Sequence, residues 1–244
     1  MFDHASYDEK GYAILPDLYD AEAVAALCTQ LSELAAEGES SRVGLEYERS
    51  SAERGELQIR KYHDTIAAGG PLAAWMLRPP VPAILEACLG EGPRLLQSMA
   101  LVKPPHIGIA KDWHRDTPYF QKTIDQVRPC VGLWLALDEA TTDNGCMQVL
   151  PGSHRWGELR HVQGPTGWML DPDLVREHGV AAEALPMTAG SLLVFDGDLL
   201  HYTAPNRSSH RRRALQNHAV PGSVRWIGGE TRHPPLPLIE TVSA

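Results

Sequence analysis

Apolar residues recur along the chain with two different rhythms, and the change falls near Pro93. Val24, Leu27, Cys28, Leu31, Leu34 and Ala35 return every three or four residues, the repeat that places side chains on one face of a helix. Asp20 precedes them at the position of an N-cap, where a carboxylate accepts from the first free backbone N–H groups. Further upstream, Gly11-Tyr12-Ala13-Ile14-Leu15 is a short apolar run closed by Pro16. Residues 71–89 have helical composition, but Pro79, Pro80 and Pro82 break them into pieces because proline removes a backbone donor. The pattern predicts a mainly helical first ninety residues, one helix resting an apolar face on something larger.

Beyond Pro93, short apolar runs alternate with clusters of Gly, Pro, Asn and Asp, the texture of strands in a sandwich or barrel. Strands are predicted over 95–103, 130–138, 146–150, 191–195 and 213–220. Asp143-Asn144-Gly145 between two of them is a strong turn signal. With no internal repeat, low-complexity tract or linker, residues 1–244 read as a single β-rich α+β domain with helices on one side.

Composition narrows the partners. Of the 244 residues, 43% are hydrophobic and 22% charged, which suits a folded globular chain rather than a disordered one. The net charge of −9 argues against nucleic acid, whose binding depends on Lys and Arg neutralising phosphates, and the basic run at 207–213 is too short to reverse that. No apolar stretch reaches the ~18 residues of a membrane span, and the acidic opening MFDHASYDEKGY does not resemble a secretory signal, so a cytoplasmic protein is expected. Cysteines 28, 88, 130 and 146 form no CxxC pair and read as reduced, mostly buried thiols.

Three residues suggest chemistry. In Trp113-His114-Arg115-Asp116, residues i and i+2 of a strand would project to one face, so His114 and Asp116 reach one ion while Arg115 points away. His201 follows an apolar strand that ends at Asp196-Gly197-Asp198, which places it at an edge facing the same cavity. Two imidazoles and a carboxylate on one side of an iron ion leave positions open for cosubstrate and O2. His-x-Asp alone is weak, since eleven histidines among 31 acidic residues produce such triplets by chance. Its surroundings strengthen it.

In order, the chain carries GYAILPDLYDAEAV, LVKPP, WHRDTPY, LWLALDEATTDNGCMQVLPGSH and GSLLVFDGDLLHYTAPNRSSHRRRAL. From Gly11 to about Val220 it resembles the phytanoyl-CoA dioxygenase family of Fe(II)/2-oxoglutarate oxygenases. The resemblance implies a double-stranded β-helix, or jelly roll, with iron held by His114, Asp116 and His201. It implies that Arg212 pairs with the far carboxylate of 2-oxoglutarate, with Thr203 adding a hydroxyl. A buried dicarboxylate needs a charge partner, and guanidinium offers a planar two-point match. Arg211 and Arg213 compete for that role, because a one-residue slip turns a strand side chain to the opposite face.

Gln97 and Trp134 lie on strands expected to line the barrel, where similar proteins touch 2-oxoglutarate; core packing is the alternative. Arg60 would reach the mouth from the helical part, and Tyr119 and Phe120 would shape a substrate pocket. His154 in PGSH is read as stabilising a turn, and His63, His106, His161, His210 and His218 as ordinary structural histidines. Related halogenases lack the carboxylate ligand, so Asp116 points to hydroxylation, desaturation or ring closure. The expectation is an enzyme using Fe(II), 2-oxoglutarate and O2 on a small molecule. The alternatives are a jelly roll that binds without catalysis and a cupin-type oxygenase acting on a macromolecule; oligomeric state is open.

Overall fold

The computed structural model describes residues 2–52, 57–90, 92–164, 167–228 and 236–237. Its strands are β1 (Tyr12–Leu15), β2 (Gly44–Tyr47), β3 (Ile59–His63), β4 (Arg94–Lys103), β5 (Lys111–His114), β6 (Val131–Ala136), β7 (Met147–Val149), β8 (His161–Gly164), β9 (Gly167–Leu170), β10 (Glu183–Leu185), β11 (Leu192–Asp196), β12 (His201–Thr203), β13 (Arg212–Val220) and β14 (Leu236–Pro237). The major sheet runs β1-β11-β6-β13-β4-β3-β2, with β14 beside β4, and the minor sheet runs β10-β7-β12-β5. All pairings are antiparallel, and β8 and β9 form a separate hairpin.

Period-two alternation makes this a layered sandwich. On β6 and β11, Val131, Leu133, Leu135, Leu192 and Val194 join one apolar cluster with the helices, whereas Trp134, Ala136, Leu193 and Phe195 join another with Met147, Val149 and Leu185 of the minor sheet. A strand buried on both faces reads as a continuous apolar run, which is why β6 was legible. Gly132 leaves room for the ring of its cross-strand neighbour Phe195 on β11, since a Cβ there would lie 2.2 Å from that ring. The result is a jelly roll, with helices covering the outer face of the major sheet.

The helices behave as their sequence requires. In α1 (His4–Lys10), Asp3 accepts from Ser6 N at 3.0 Å. In α2 (Ala21–Glu37), Asp20 accepts from Ala23 N at 2.8 Å, and Val24, Leu27, Leu31 and Leu34 are buried. The proline-broken segment becomes α4 (Gly70–Ala74) and α5 (Val81–Leu89), separated by a 3-10 turn; α3 (Arg49–Ala52) is a single turn before them. Among the described residues no single helix is long and apolar enough to cross a membrane. Cys28, Cys88, Cys130 and Cys146 are unpaired; the first two are half-buried and the others buried.

The first ninety residues are mainly helical, as expected, but they also carry β1, β2 and β3, short strands the pattern did not predict, and all three join the major sheet. A four-residue apolar run such as β1 carries too little periodicity to declare itself. β2 and β3 are mostly half-buried, with Arg60 and Lys61 of β3 lining the cavity, so GLEY and IRKYH lack an apolar signature. The three-residue strands β10 and β12 of the minor sheet also went unpredicted, whereas β5 carries His114 as the His-x-Asp reading expects, and the 143–145 turn forms with Asn144 Oδ1 accepting from Thr141 N at 2.8 Å and Gly145 at φ 83°.

Candidate active site

His114 and His201 stand opposite each other on the adjacent minor-sheet strands β5 and β12, with ring centroids 4.1 Å apart. Asp116 is not on the strand. Its backbone is helical (φ −85°, ψ −32°) and opens a 3-10 turn over Thr117–Phe120. The cause is the Asp196-Gly197-Asp198 turn: Gly197 O accepts from both Asp116 N (2.9 Å) and Thr117 N (3.2 Å), hooking the chain off the sheet. The bend brings Asp116 Oδ1 to 3.5 Å from His114 Nε2 and 3.7 Å from His201 Nε2. The three ligand atoms all lie within 4.8 Å of one another, and all three residues are buried.

The surrounding bonds prepare these groups for a metal. His114 Nδ1 lies 2.7 Å from Asp112 O, and His201 Nδ1 lies 3.0 Å from Leu199 O. A carbonyl only accepts, so each Nδ1 carries the proton and each Nε2 keeps its lone pair for the cavity. Burial, and then the neighbouring His201, push His114 down to about 3, which keeps it neutral. Burial alone would raise Asp116, but His201, His218 and hydrogen bonds from His114 and His218 hold it well below the usual carboxylate range. Two neutral imidazoles and one carboxylate suit ferrous iron.

Arg115 points away, as expected, and is 1% exposed. Its Nη2 donates to Ser153 O at 2.6 Å, while Ser153 Oγ accepts from Leu200 N at 2.8 Å. The PGSH loop thus braces, from behind, the residues next to both His114 and His201. His154 lies outside the triad, its ring against Gly11.

A cavity of ≈ 330 Å³ opens over the triad. On β4, Gln97, Met99, Leu101 and Lys103 alternate toward it; on β13, Arg212, Gln216 and His218 do the same. Trp134, Thr203, Arg60, Tyr119 and Phe120 also line it, so every residue singled out from the sequence faces one space. Arg60 comes from β3, not from a helix.

Arg212 is 2% exposed, and its Nε and Nη1 have no hydrogen-bond partner among the described residues. Its guanidinium lies 5.3 Å from the Trp134 ring, and burial pushes it down to about 10. Arg213 turns to the opposite face, where its Nε and Nη2 donate to Asp138 at 2.9 and 2.7 Å; Arg211 is exposed. The register therefore selects Arg212 as the arginine facing the cavity.

His218, read from the sequence as an ordinary structural histidine, needs correction. Its Nε2 donates to Asp116 Oδ2 at 2.8 Å, and Gln216 Nε2 donates to the same oxygen at 3.3 Å. The signal was present: counting by two from Arg212 along one strand reaches both residues. Lys103, Lys61 and Lys111 are further cavity residues the sequence reading did not single out.

Residues 7–214 match the phytanoyl-CoA dioxygenase (PhyH) family. A phytanoyl-CoA dioxygenase of Arabidopsis thaliana is 36% identical over 141 residues, covering 56% of this chain and 48% of that protein. A probable alpha-ketoglutarate-dependent hypophosphite dioxygenase of Stutzerimonas stutzeri is 29% identical over 224 residues, 86% of this chain and 74% of its own length. The matches to the Arabidopsis, mouse and rice relatives span 48%, 63% and 58% of those proteins. Among solved structures, EctD from S. alaskensis with 2-oxoglutarate and 5-hydroxyectoine superposes with a TM-score of 0.76 at 23% identity, covering 94% of this chain and 80% of EctD. The epimerase SnoN, in complex with Fe3+, alpha ketoglutarate and nogalamycin RO, gives 0.75 at 18% identity, with coverage of 96% and 93%. These structures share the jelly roll, and the sequence match runs unbroken from α1 past Arg212, so the chain belongs to the phytanoyl-CoA dioxygenase family.

Proposed function

We propose that this chain is an Fe(II)- and 2-oxoglutarate-dependent oxygenase of a small molecule. The observation that carries the reading is Arg212: a fully buried guanidinium, short of partners, aimed into the cavity that holds a buried His-Asp-His cluster. A buried charge left alone is costly, so the site is built for an anion that arrives with the reaction. 2-Oxoglutarate supplies one carboxylate for the guanidinium and a second group for the metal end.

His114 and His201 would hold iron through Nε2 and Asp116 through Oδ1; Arg212, with the Thr203 hydroxyl, would take the far carboxylate. Bound iron supplies O2 activation coupled to decarboxylation of the cosubstrate. In balance, substrate C–H, 2-oxoglutarate and O2 give C–OH, succinate and CO2. The Nδ1 bonds fix both imidazoles, His218 and Gln216 fix the carboxylate, and Trp134 and Phe120 wall the site from water. Four unpaired thiols support a reducing compartment such as the cytoplasm. Iron-dependent release of succinate from 2-oxoglutarate, absent from the Asp116→Ala variant, is the direct test; no succinate from iron-loaded protein over a broad metabolite panel would refute the reading.

Because Asp116 fills the third protein ligand position, product is expected to gain oxygen or lose hydrogen and to carry no halogen even in concentrated chloride. Mass spectrometry of the product decides this, and a chlorinated product would contradict the role given to Asp116. A second expectation concerns positioning. His218→Ala removes the shorter of the two bonds to Asp116 Oδ2 and should weaken iron affinity or turnover by about 10–100-fold, the usual effect of losing a bond behind a metal ligand. His218→Gln retains an N–H donor and should recover part of it. Chelator competition reads the affinity; if both variants lose thermal stability but keep wild-type iron affinity, His218 is only a packing residue.

A further inference from the structure

The cavity has more positive charge than iron and 2-oxoglutarate can use. Among the described residues, Arg60, Lys61, Lys103, Lys111 and Arg212 line it against the carboxylates of Glu48 and Asp116, in a chain whose net charge is −9. Iron brings two positive charges and 2-oxoglutarate two negative ones, so loading both leaves that excess in place. Lys103 lies deep, opposite Arg212 in the β4–β13 register, and burial followed by Arg212 pushes it down to about 6, so it adds little charge at neutral pH. The remaining excess sits on the outer wall.

There the fold departs from regular pairing in order to gather cations. In the β2–β3 ladder, Glu46 pairs with Lys61 but Tyr47 pairs with Ile59, leaving Arg60 as the extra residue of a bulge. On a regular strand Arg60 and Lys61 would face opposite sides; the bulge turns both toward the cavity. Glu46 pairs with them, at 3.2 Å from Arg60 and 3.9 Å from Lys61, and also contacts His63 at 3.2 Å, while Glu48 attracts Arg60 and Asp116 attracts Lys61 without a contact pair. Lys111 lines the same cavity, its Nζ donating to the Tyr119 hydroxyl at 2.7 Å. Burial pushes Lys111 down to about 8; Asp116 and Asp112 oppose that shift while Lys61 and Arg60 add to it, so the three cations share one field. A concave site lined by one sign of charge concentrates the opposite sign.

Resting on the oxygenase reading, we propose that the primary substrate is a small anion, a carboxylate or a phosphorus oxyanion, whose charged group is held at the mouth by Arg60 and Lys111 while its reacting carbon or heteroatom faces the metal. Guanidinium supplies a planar pair of donors and ammonium a point charge, a combination suited to an oxyanion. At ≈ 330 Å³ the cavity is at the low end of ligand sites and must also hold 2-oxoglutarate, so the substrate is small.

The test uses Fe(II)-loaded protein saturated with 2-oxoglutarate under anaerobic conditions, so that the Arg212 site is filled and no turnover occurs. Methylphosphonate, propanoate, propanamide and propylammonium are titrated in by calorimetry or NMR. At least one of the two anions should bind about tenfold or more tightly than the neutral and cationic probes, and the stronger of them identifies the oxyanion. Arg60→Ala and Lys111→Met should each weaken that anion by about tenfold, Arg60→Lys should restore part of the loss, and Arg225→Ala, a change at an exposed surface arginine, should have no effect. Propanamide or propylammonium binding as well as the stronger anion, or anion affinity unchanged in both cavity variants, overturns the proposal. So does an equal loss of 2-oxoglutarate affinity in those variants, which would assign the cations to the cosubstrate and leave the oxygenase reading intact. Failure of wild-type protein to bind 2-oxoglutarate at all, read separately, removes the oxygenase reading and the proposal with it.

Discussion

Arg212→Ala is expected to raise the 2-oxoglutarate requirement by roughly two to three orders of magnitude while leaving iron content nearly unchanged. Removing one partner of a buried charge pair typically costs about 3–5 kcal/mol, because the survivor keeps its desolvation penalty without compensation. Here the survivor is the cosubstrate carboxylate, stranded in a site where Arg212 is 2% exposed. Arg212→Lys should recover only part, since an ammonium cannot reproduce two parallel N–H contacts. The neighbours are the controls. Arg213→Ala breaks the bond to Asp138 on the opposite face and should read as reduced stability, with 2-oxoglutarate dependence unaltered. Arg211→Ala, at an exposed position, should change neither. Titrating cosubstrate against succinate release measures all four; a larger effect at either neighbour, with Arg212→Ala behaving as wild type, would move the anchor to that residue.

Alanine at His114, Asp116 or His201 should remove most bound iron from a protein that otherwise carries one ion per chain, and should abolish turnover. Each substitution deletes one of only three protein ligands, a loss larger than the ~10–100-fold attached to bonds behind a ligand. Asp116→Ala should be the most disruptive, because it also leaves the buried donors of His218 and Gln216 without their acceptor. Metal analysis beside a turnover assay settles the matter. Any one variant that retained full iron and full activity would break the triad assignment.

The sequence was most informative where burial was most complete. β4, β6 and β13 bury nearly every residue or alternate cleanly, so their apolar runs located them within a residue or two. It was least informative at the sheet edge, where β2 and β3 are mostly half-buried and rich in polar side chains, and so imitate a loop or a helix surface. The site shows the same division. His114, Asp116 and His201 were legible as residue types, but the strand geometry expected for His-x-Asp was wrong, since a turn 80 residues downstream bends Asp116 off β5. His218 was within reach of a count by two from Arg212. The bulge at Arg60 was not, because register shifts arise from pairing between strands rather than from the local run.

That placement of the bulge divides the protein's capacity for change. Arg212, Gln216 and His218 ride on one strand at the centre of the major sheet, locked on both sides by β4 and β6, so an inserted or deleted residue there would misplace the proposed cosubstrate anchor and both braces of Asp116 together. Arg60 sits on β3, one strand in from the open edge, with only β2 beyond it. Drift at that margin, by substitution or by sliding the bulge, would redraw the rim of the cavity while its floor stayed as it is. On the proposed oxygenase reading, a lineage built on this chain would exchange one substrate for another through changes at the sheet margin, inheriting the same oxidation each time.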